Sequence, residues 1–268
     1  MPRNPEDTTH FGRWLYRFYH YPRRQLASRN PDFWLYLLLR RVRGGPFAGM
    51  RYVGESPNLR IGPALLGTME TEIQPFVRRL LAQDFDVFVN AGAAEGYYTV
   101  GFARFGRAGR VIAFEGAAAG RALIRLMARR NGVAAKVDVR GFCTAETLAA
   151  ALAGSRHPGL LLDIEGHEAE ALDPAKVPQL RQAAVIVELH EWEKPVADIL
   201  RPRFVDTHMI EEVWTRPLMP ADLPANLAPA TWFFSRAKLL QLADEHRGRD
   251  MRWWLLTPKL AEPPQSVP

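Results

Sequence analysis

Three carboxylates stand where apolar runs end in the middle of the chain: Glu115 after 110–114, Asp163 after 160–162 and Glu188 after 184–187. Ahead of them, a further apolar run leads into Asn90-Ala91-Gly92-Ala93-Ala94-Glu95-Gly96-Tyr97, a turn of small residues with two glycines. A carboxylate about 20 residues beyond such a turn, at the end of the next strand, is placed to accept hydrogen bonds from ribose hydroxyls. Glu115 stands 19 residues after Gly96 and 23 after Gly92. That order fits a nicotinamide dinucleotide or S-adenosylmethionine. A pyrophosphate site calls for Gly-x-Gly-x-x-Gly, which lets backbone approach the phosphates. Here the spacing is Gly-x-x-x-Gly. Adenosylmethionine has no phosphate, so the turn favours it.

A second group of chemically active residues is Asp163-Ile164-Glu165-Gly166-His167-Glu168, with Glu188, His190 and Glu191 one strand further on. Asp163 and His190 are placed to face a crevice above a sheet, and His167 lies on the same loop. Any of the three is a candidate to take the proton of a substrate hydroxyl. Glu165 and Glu168 are equally suited to bonding loop backbone and the next helix's N-terminus. Carboxylates and histidines together are also metal ligands. No recognisable ligand spacing is present, and no metal is assigned.

The elements that must position these groups can be read from periodicity. Strands are expected at 87–90, 110–115, 136–140, 160–164 and 184–188, separated by helices at 97–105, about 117–130, 145–153 and 167–172. Near-unbroken apolar strands alternating with helices predict a parallel sheet covered on both faces. The later chain adds strands at 208–214 and 252–257 and a helix near 235–244. Before the first strand, a helix is expected over 73–82, with Thr68 or Thr71 as its cap and Glu70 and Glu72 near its positive end. Short strands or loops are expected over 51–63.

Hydrophobic content of 47% and charged content of 24% place the chain among ordinary globular proteins. The one cysteine, Cys143, excludes a disulfide framework and a cysteine-rich zinc site, and it reads as a packing residue. The formal net charge of +6 is confined to residues 1–43, where nine arginines oppose Glu6, Asp7 and Asp32. The remainder balances, so the core has no net field for a polyanion and nucleic acid is disfavoured. This arm is also aromatic, with Phe11, Trp14, Leu15 and Phe18 at helical spacing and a second apolar helix opening at Asn30-Pro31-Asp32. Both helices are expected to pack on the core or on a second subunit. A protein partner or an anionic membrane surface, met through residues 10–43, is the next reading, and RNA contact the last. The first residues lack the apolar segment of a signal peptide, and no run near 33–39 reaches the roughly 20 residues of a spanning helix. We expect a soluble, cytoplasmic protein, with membrane-peripheral attachment as the variant. His10, His20, His157, His208 and His246 read as surface or packing residues, and 244–247 as a solvated face.

In this order the motifs resemble the FkbM-type methyltransferases, class I S-adenosylmethionine-dependent enzymes. The matching stretches are Leu66-Gly67-Thr68-Met69-Glu70, Val89 through Thr99, Ala113-Phe114-Glu115, Leu162-Asp163-Ile164-Glu165-Gly166-His167-Glu168 and Val187-Glu188-Leu189-His190. They span about 65–193 and, more loosely, reach 258. The resemblance implies a Rossmann-like class I methyltransferase fold, with a mostly parallel seven-stranded α/β sheet and helices on both faces. It covers a domain at 46–260, between a basic helical arm at 1–45 and a disordered tail at 261–268. It implies S-adenosyl-L-methionine as cofactor and a hydroxyl of a sugar, glycan or small metabolite as acceptor. Carried over residue by residue, Gly92 and Gly96 form the cofactor turn, Glu115 holds the ribose, and Phe142 and Cys143 lie by the adenine. Glu70, Asn90, Ala94, Tyr97, Gly116 and Asp163 are assigned to the same cofactor site. Asn90 stands where the family usually has aspartate, and Gly116 where it has proline. Two rival readings follow: a decayed binding protein that keeps the fold, and an RNA methyltransferase using the basic arm.

Overall fold

Successive residues of a strand point to opposite faces of the sheet, so an apolar run buried on both sides must feed two cores. The computed structural model describes residues 31–54, 61–192, 194–247 and 250–259. Its strands are β1 (Val87–Ala91), β2 (Arg110–Phe114), β3 (Val137–Arg140), β4 (Pro158–Leu162), β5 (Ala184–Leu189), β6 (His208–Trp214) and β7 (Arg252–Pro258). They form one sheet in the order β3-β2-β1-β4-β5-β7-β6. The first five strands are parallel, and β7 runs antiparallel between β5 and β6. Phe88, Leu161, Ile186 and Trp253 enter the core on one face. Their neighbours Val89, Leu160, Val185 and Trp254 enter the core on the other. This is the seven-stranded, mostly parallel Rossmann-like sheet that the sequence predicts.

Nine α-helices are described: α1 (Pro31–Leu39), α2 (Gly62–Leu66), α3 (Gln74–Leu81), α4 (Tyr97–Phe105), α5 (Ala118–Arg130), α6 (Ala145–Leu152), α7 (Glu168–Ala171), α8 (Val196–Phe204) and α9 (Arg236–Ala243). Phe102 of α4 stacks on Phe88 of β1 at 3.7 Å between ring centroids. Leu148 of α6 and Leu200 of α8 close the opposite face. In the arm, Leu35 and Leu39 of α1 and the following Val42 are buried in the same core as Phe88. Burial of an apolar stripe against the sheet is the simplest way to remove it from water. The expected first helix of the arm, around Phe11 to Phe18, and the tail at 261–268 lie outside the described residues. No helix among the described residues is long and apolar enough to cross a membrane.

The structure departs from the predicted elements before β1, at α8 and at β4. Neither α2 nor α8 is anticipated, and of the short strands or loops expected over 51–63 the described residues show loop, an isolated bridge of Arg51 to Arg41, and the start of α2. Strand β4 starts two residues earlier than expected and ends at Leu162, so Asp163 begins the loop. The expected caps of the helix before β1 also fail. Its cap position is Ile73, and the hydroxyl of Thr68 donates instead to the carbonyl of Ala243 at 2.9 Å. A buried hydroxyl takes whichever acceptor the tertiary structure brings to it.

The turn after β1 touches the end of β4. The backbone N–H of Asp163 donates to the carbonyl of Ala91 at 3.0 Å, and those of Gly92 and Ala93 donate to the carbonyl of Phe114 on β2. Gly92 has φ +75, and a Cβ there would lie 1.6 Å from the carbonyl oxygen of Asp163. Only glycine fits both the conformation and the contact. Between β1 and β4 the connections run to opposite sides, and in such a sheet ligands bind at that crevice, beyond the strand ends. Gly92→Ala should therefore destabilise the protein by about 2 kcal/mol or more. The urea midpoint, read at unchanged m-value, checks this.

Candidate active site

Glycine at the start of α4 lets the chain leave the β1 turn with φ +99 at Gly96, whose missing Cβ faces Ile124. Glu115, just past β2, reaches back to this turn. Its carboxylate accepts the N–H of Ala94 at 2.8 Å and that of Ala117 at 2.7 Å. Two oxygens offer about four acceptor sites, so Glu115 keeps capacity for further donors. Gly120 makes room for it, since a Cβ there would lie 2.8 Å from Glu115 Cγ. Gly116 and Phe142 are neighbours, with Phe142 exposed at the rim. Cys143 is buried, and burial pushes its thiol up to about 12, so it stays protonated at neutral pH.

Asn90 is buried on β1 and is committed to the scaffold. Its Oδ1 accepts the hydroxyl of Thr99 at 2.8 Å and its Nδ2 donates to the carbonyl of Leu161 at 3.4 Å. Tyr97 is also turned to the scaffold: its ring packs edge-on against Phe47 at 5.1 Å, within the core.

Beyond β4 and β5 lies a nest of buried acids. His190 is central, with its side chain 3% exposed. Its Nδ1 sits 2.7 Å from Glu168 Oε1, and that oxygen also accepts the backbone N–H of Ile164 and of Gly166. A carboxylate oxygen accepting three bonds requires the proton on Nδ1, so Nε2 carries the lone pair when the ring is neutral and the second proton when it is charged. Nε2 faces Asp163 at 3.6 Å and Glu165 and Glu188 at 3.7 Å. Burial alone would lower the imidazole's pKa, but the Glu168 hydrogen bond and the surrounding carboxylates outweigh it and hold it raised. Glu168 thus does bond the loop backbone, as its position suggests, and orients His190 besides. His167 stands apart from this cluster, exposed, with its ring edge-on to Phe142 at 5.6 Å. Glu191 pairs with Arg252, away from His190.

Arg247 ties this nest to the far side of the chain. It pairs with Glu188, with Glu70 at 2.7 Å and with Glu245 at 2.8 Å. Tyr98 donates to Glu70 at 2.5 Å. In the segment 244–247, Asp244 and His246 are exposed as the composition predicts, but Glu245 and Arg247 are half-buried, and four polar residues in a row give no sign of Arg247's partners 59 and 177 positions away. Glu70, expected near a helix cap, is instead an ion-pair partner. Burial pushes Glu70 up to about 8 despite the pull of Arg247. Burial, reinforced by the Asp163 charge, pushes Glu188 up to about 10. Buried carboxyls shifted in this way mark the nest as a candidate functional site.

A carboxyl whose pKa rises on folding adds stability below its unfolded value, and that contribution is lost as pH rises through the folded value. For Glu70 the window runs from about 4.5 to about 8. Arg247 opposes the rise, so its removal should matter more as pH increases. Arg247→Ala is expected to cost little at pH 4.5 and about 2 kcal/mol at pH 8, measured by chemical denaturation at both values.

No known family profile matches the chain, and no curated protein matches it either. Solved structures that resemble it include the Bacillus subtilis M1A22 tRNA methyltransferase TrmK, at 11% identity over 68% of this chain and 64% of that one, with a TM-score of 0.43. A second is an O-methyltransferase from Bacillus cereus in complex with SAH, at 13% identity over 68% and 79%, TM-score 0.41. A third is a precorrin 8w decarboxylase from Methanobacterium thermoautotrophicum, at 17% identity over 68% and 87%, TM-score 0.43.

Proposed function

We propose that this protein is an S-adenosyl-L-methionine-dependent methyltransferase of the FkbM type, transferring methyl to a hydroxyl of a sugar, glycan or small metabolite. The observation that carries the reading is Glu115, whose carboxylate is presented by the N–H groups of Ala94 and Ala117 beside a turn that admits no Cβ at Gly92. That is the acceptor and space arrangement that ribose hydroxyls need. The acid nest fits the rest of the cofactor, because a sulfonium and an ammonium group would favour the ionised form of Asp163 and of the neighbouring carboxyls. Gly92, Ala94 and Gly96 would shape the floor, and Gly116, Phe142 and Cys143 the adenine end.

When bound, the cofactor supplies an electrophilic methyl group with a neutral thioether as leaving group. The chain's own residues then have two tasks. The crevice between β1 and β4 holds an acceptor in line with the methyl, which converts an encounter into a positioned reaction. His190, with Nδ1–H fixed on Glu168, offers Nε2 to take the hydroxyl proton, and Asp163 stands beside it to balance the charge that forms. Trp192 lies edge-on to His190 at 4.8 Å and is exposed, offering an aromatic wall to an acceptor at the mouth. The sugar or metabolite class rests on the family resemblance.

Asn90 favours a working site over a decayed one. Its amide uses one donor and one acceptor to brace β1 against β4 and α4, a pairing that an ionised aspartate could not make. Calorimetry with S-adenosylhomocysteine is the test. Wild type should bind, and Glu115→Ala should weaken binding at least about tenfold through loss of charge-assisted hydrogen bonds. Absence of binding by wild type, or equal binding by the variant, would overturn the reading. Binding created only by Asn90→Asp would select the decayed alternative.

A further inference from the structure

We propose that Asp163, Glu165 and His190 form a binding site for one divalent metal ion at the carboxyl ends of β4 and β5. Each offers one ligand atom, and the three atoms lie within 4.8 Å of one another. His190 Nε2 is 3.6 Å from Asp163 Oδ1 and 3.7 Å from Glu165 Oε2. In an octahedral shell of about 2.1 Å radius, adjacent donors stand about 3.0 Å apart and opposite donors about 4.2 Å. The two His190 spacings fall between these values, so both carboxylates stand close enough to the imidazole to share an ion with it. Glu165, with its side chain 71% exposed on the loop after β4, is free to adjust to one.

The orientation of His190 points independently to a cation. Glu168 is fully buried and holds Nδ1–H, so the imidazole cannot turn its proton toward the acids. Its Nε2 makes no hydrogen bond and looks at oxygens of Asp163, Glu165 and Glu188, all beyond hydrogen-bond reach. Asp163 Oδ1 is buried and has no hydrogen-bond partner either. With the ring neutral, lone pairs directed at one another across 3.6 Å repel, and positive charge between them, a second proton on the imidazole or an ion, relieves this. A carboxylate that fixes one imidazole nitrogen so that the other meets a metal is the usual outer shell of histidine ligands. Glu188 Oε2, 3.7 Å from the same Nε2, is available as a further oxygen donor while Arg247 holds its other oxygen.

One imidazole among carboxylates suits an ion that accepts both nitrogen and oxygen, such as Mn²⁺. The site does not depend on the methyl-transfer reading. If both hold, an acceptor hydroxyl bound at the ion would lose its proton more readily, and His190 would serve as ligand instead of base.

The experiment titrates the full chain, without cofactor, with Mn²⁺, following free ion by electron paramagnetic resonance. Wild type should bind one Mn²⁺ per chain, Asp163→Asn should lose the site, and Glu165→Gln should weaken it at least about tenfold. Glu165 is exposed, so Glu165→Gln should keep the wild-type melting temperature and separate ligand loss from misfolding. No saturable binding up to about 1 mM, or equal binding by both variants, overturns the proposal. Calorimetry with S-adenosylhomocysteine on the same samples distinguishes the two readings. Cofactor-product binding without Mn²⁺ binding removes the metal site alone, and the reverse removes only the methyltransferase assignment.

Discussion

The backbone contact between Gly92 and Asp163 holds the candidate site together. Two parallel strands whose connections diverge leave an opening at their carboxyl ends, and here the opening is pinned by chain touching chain. The Asp163 N–H bonds Ala91, while the space for a Gly92 side chain is filled by the carbonyl of Asp163 itself. Because Ala94 in the same turn holds Glu115, one contact sets the separation of the β2 carboxylate from the β4 carboxylate. A larger residue at position 92 would lift the turn and move both groups apart.

The second constraint is electrostatic. Glu70, Glu168, Glu188 and His190 are buried together, with Asp163 half-buried among them. Removing several carboxylates from water is costly unless each finds donors or opposite charge. Glu168 finds two backbone N–H groups and an imidazole, and Glu70 finds Arg247 and Tyr98. Glu188 pairs with Arg247, and it flanks His190 Nε2 together with Asp163. Positive charge brought into the crevice, by the proposed sulfonium cofactor or the proposed metal ion, would favour the ionised form of these carboxyls. Its stability also depends on Arg247, which links the segment after α9 to β5 and to the residue preceding α3 by three positions of loop.

Much of the fold was legible because its signals are local. Val87 to Val89 and Leu160 to Leu162 are apolar without a break, as a strand buried on both faces must be, and the intervening helices show their own period. Glu115 was legible through its distance from the glycine turn. Other assignments were obscured by the same locality. Glu70 resembles a helix-cap acid until Arg247 is seen beside it, and Asn90 resembles a weakened cofactor ligand until Thr99 and the carbonyl of Leu161 are seen to occupy its amide. Tyr97, in the cofactor turn by sequence, spends its ring on the core against Phe47.

By itself the sequence determined the order of strands and helices, the glycine turn and the carboxylates at strand ends, because period and spacing are properties of neighbouring residues. Only the tertiary structure decided which of those carboxylates share a space. Asp163, Glu165 and His190 have no ligand spacing along the chain, since β4 and β5 are joined through α7 and become neighbours only through pairing in the sheet. The tautomer of His190 follows from Glu168, 22 positions away, and the charge on Glu188 is balanced by Arg247, 59 positions away. Hydrogen bonding and Coulomb attraction act across space regardless of sequence separation, so these groups acquire their chemistry when the sheet closes.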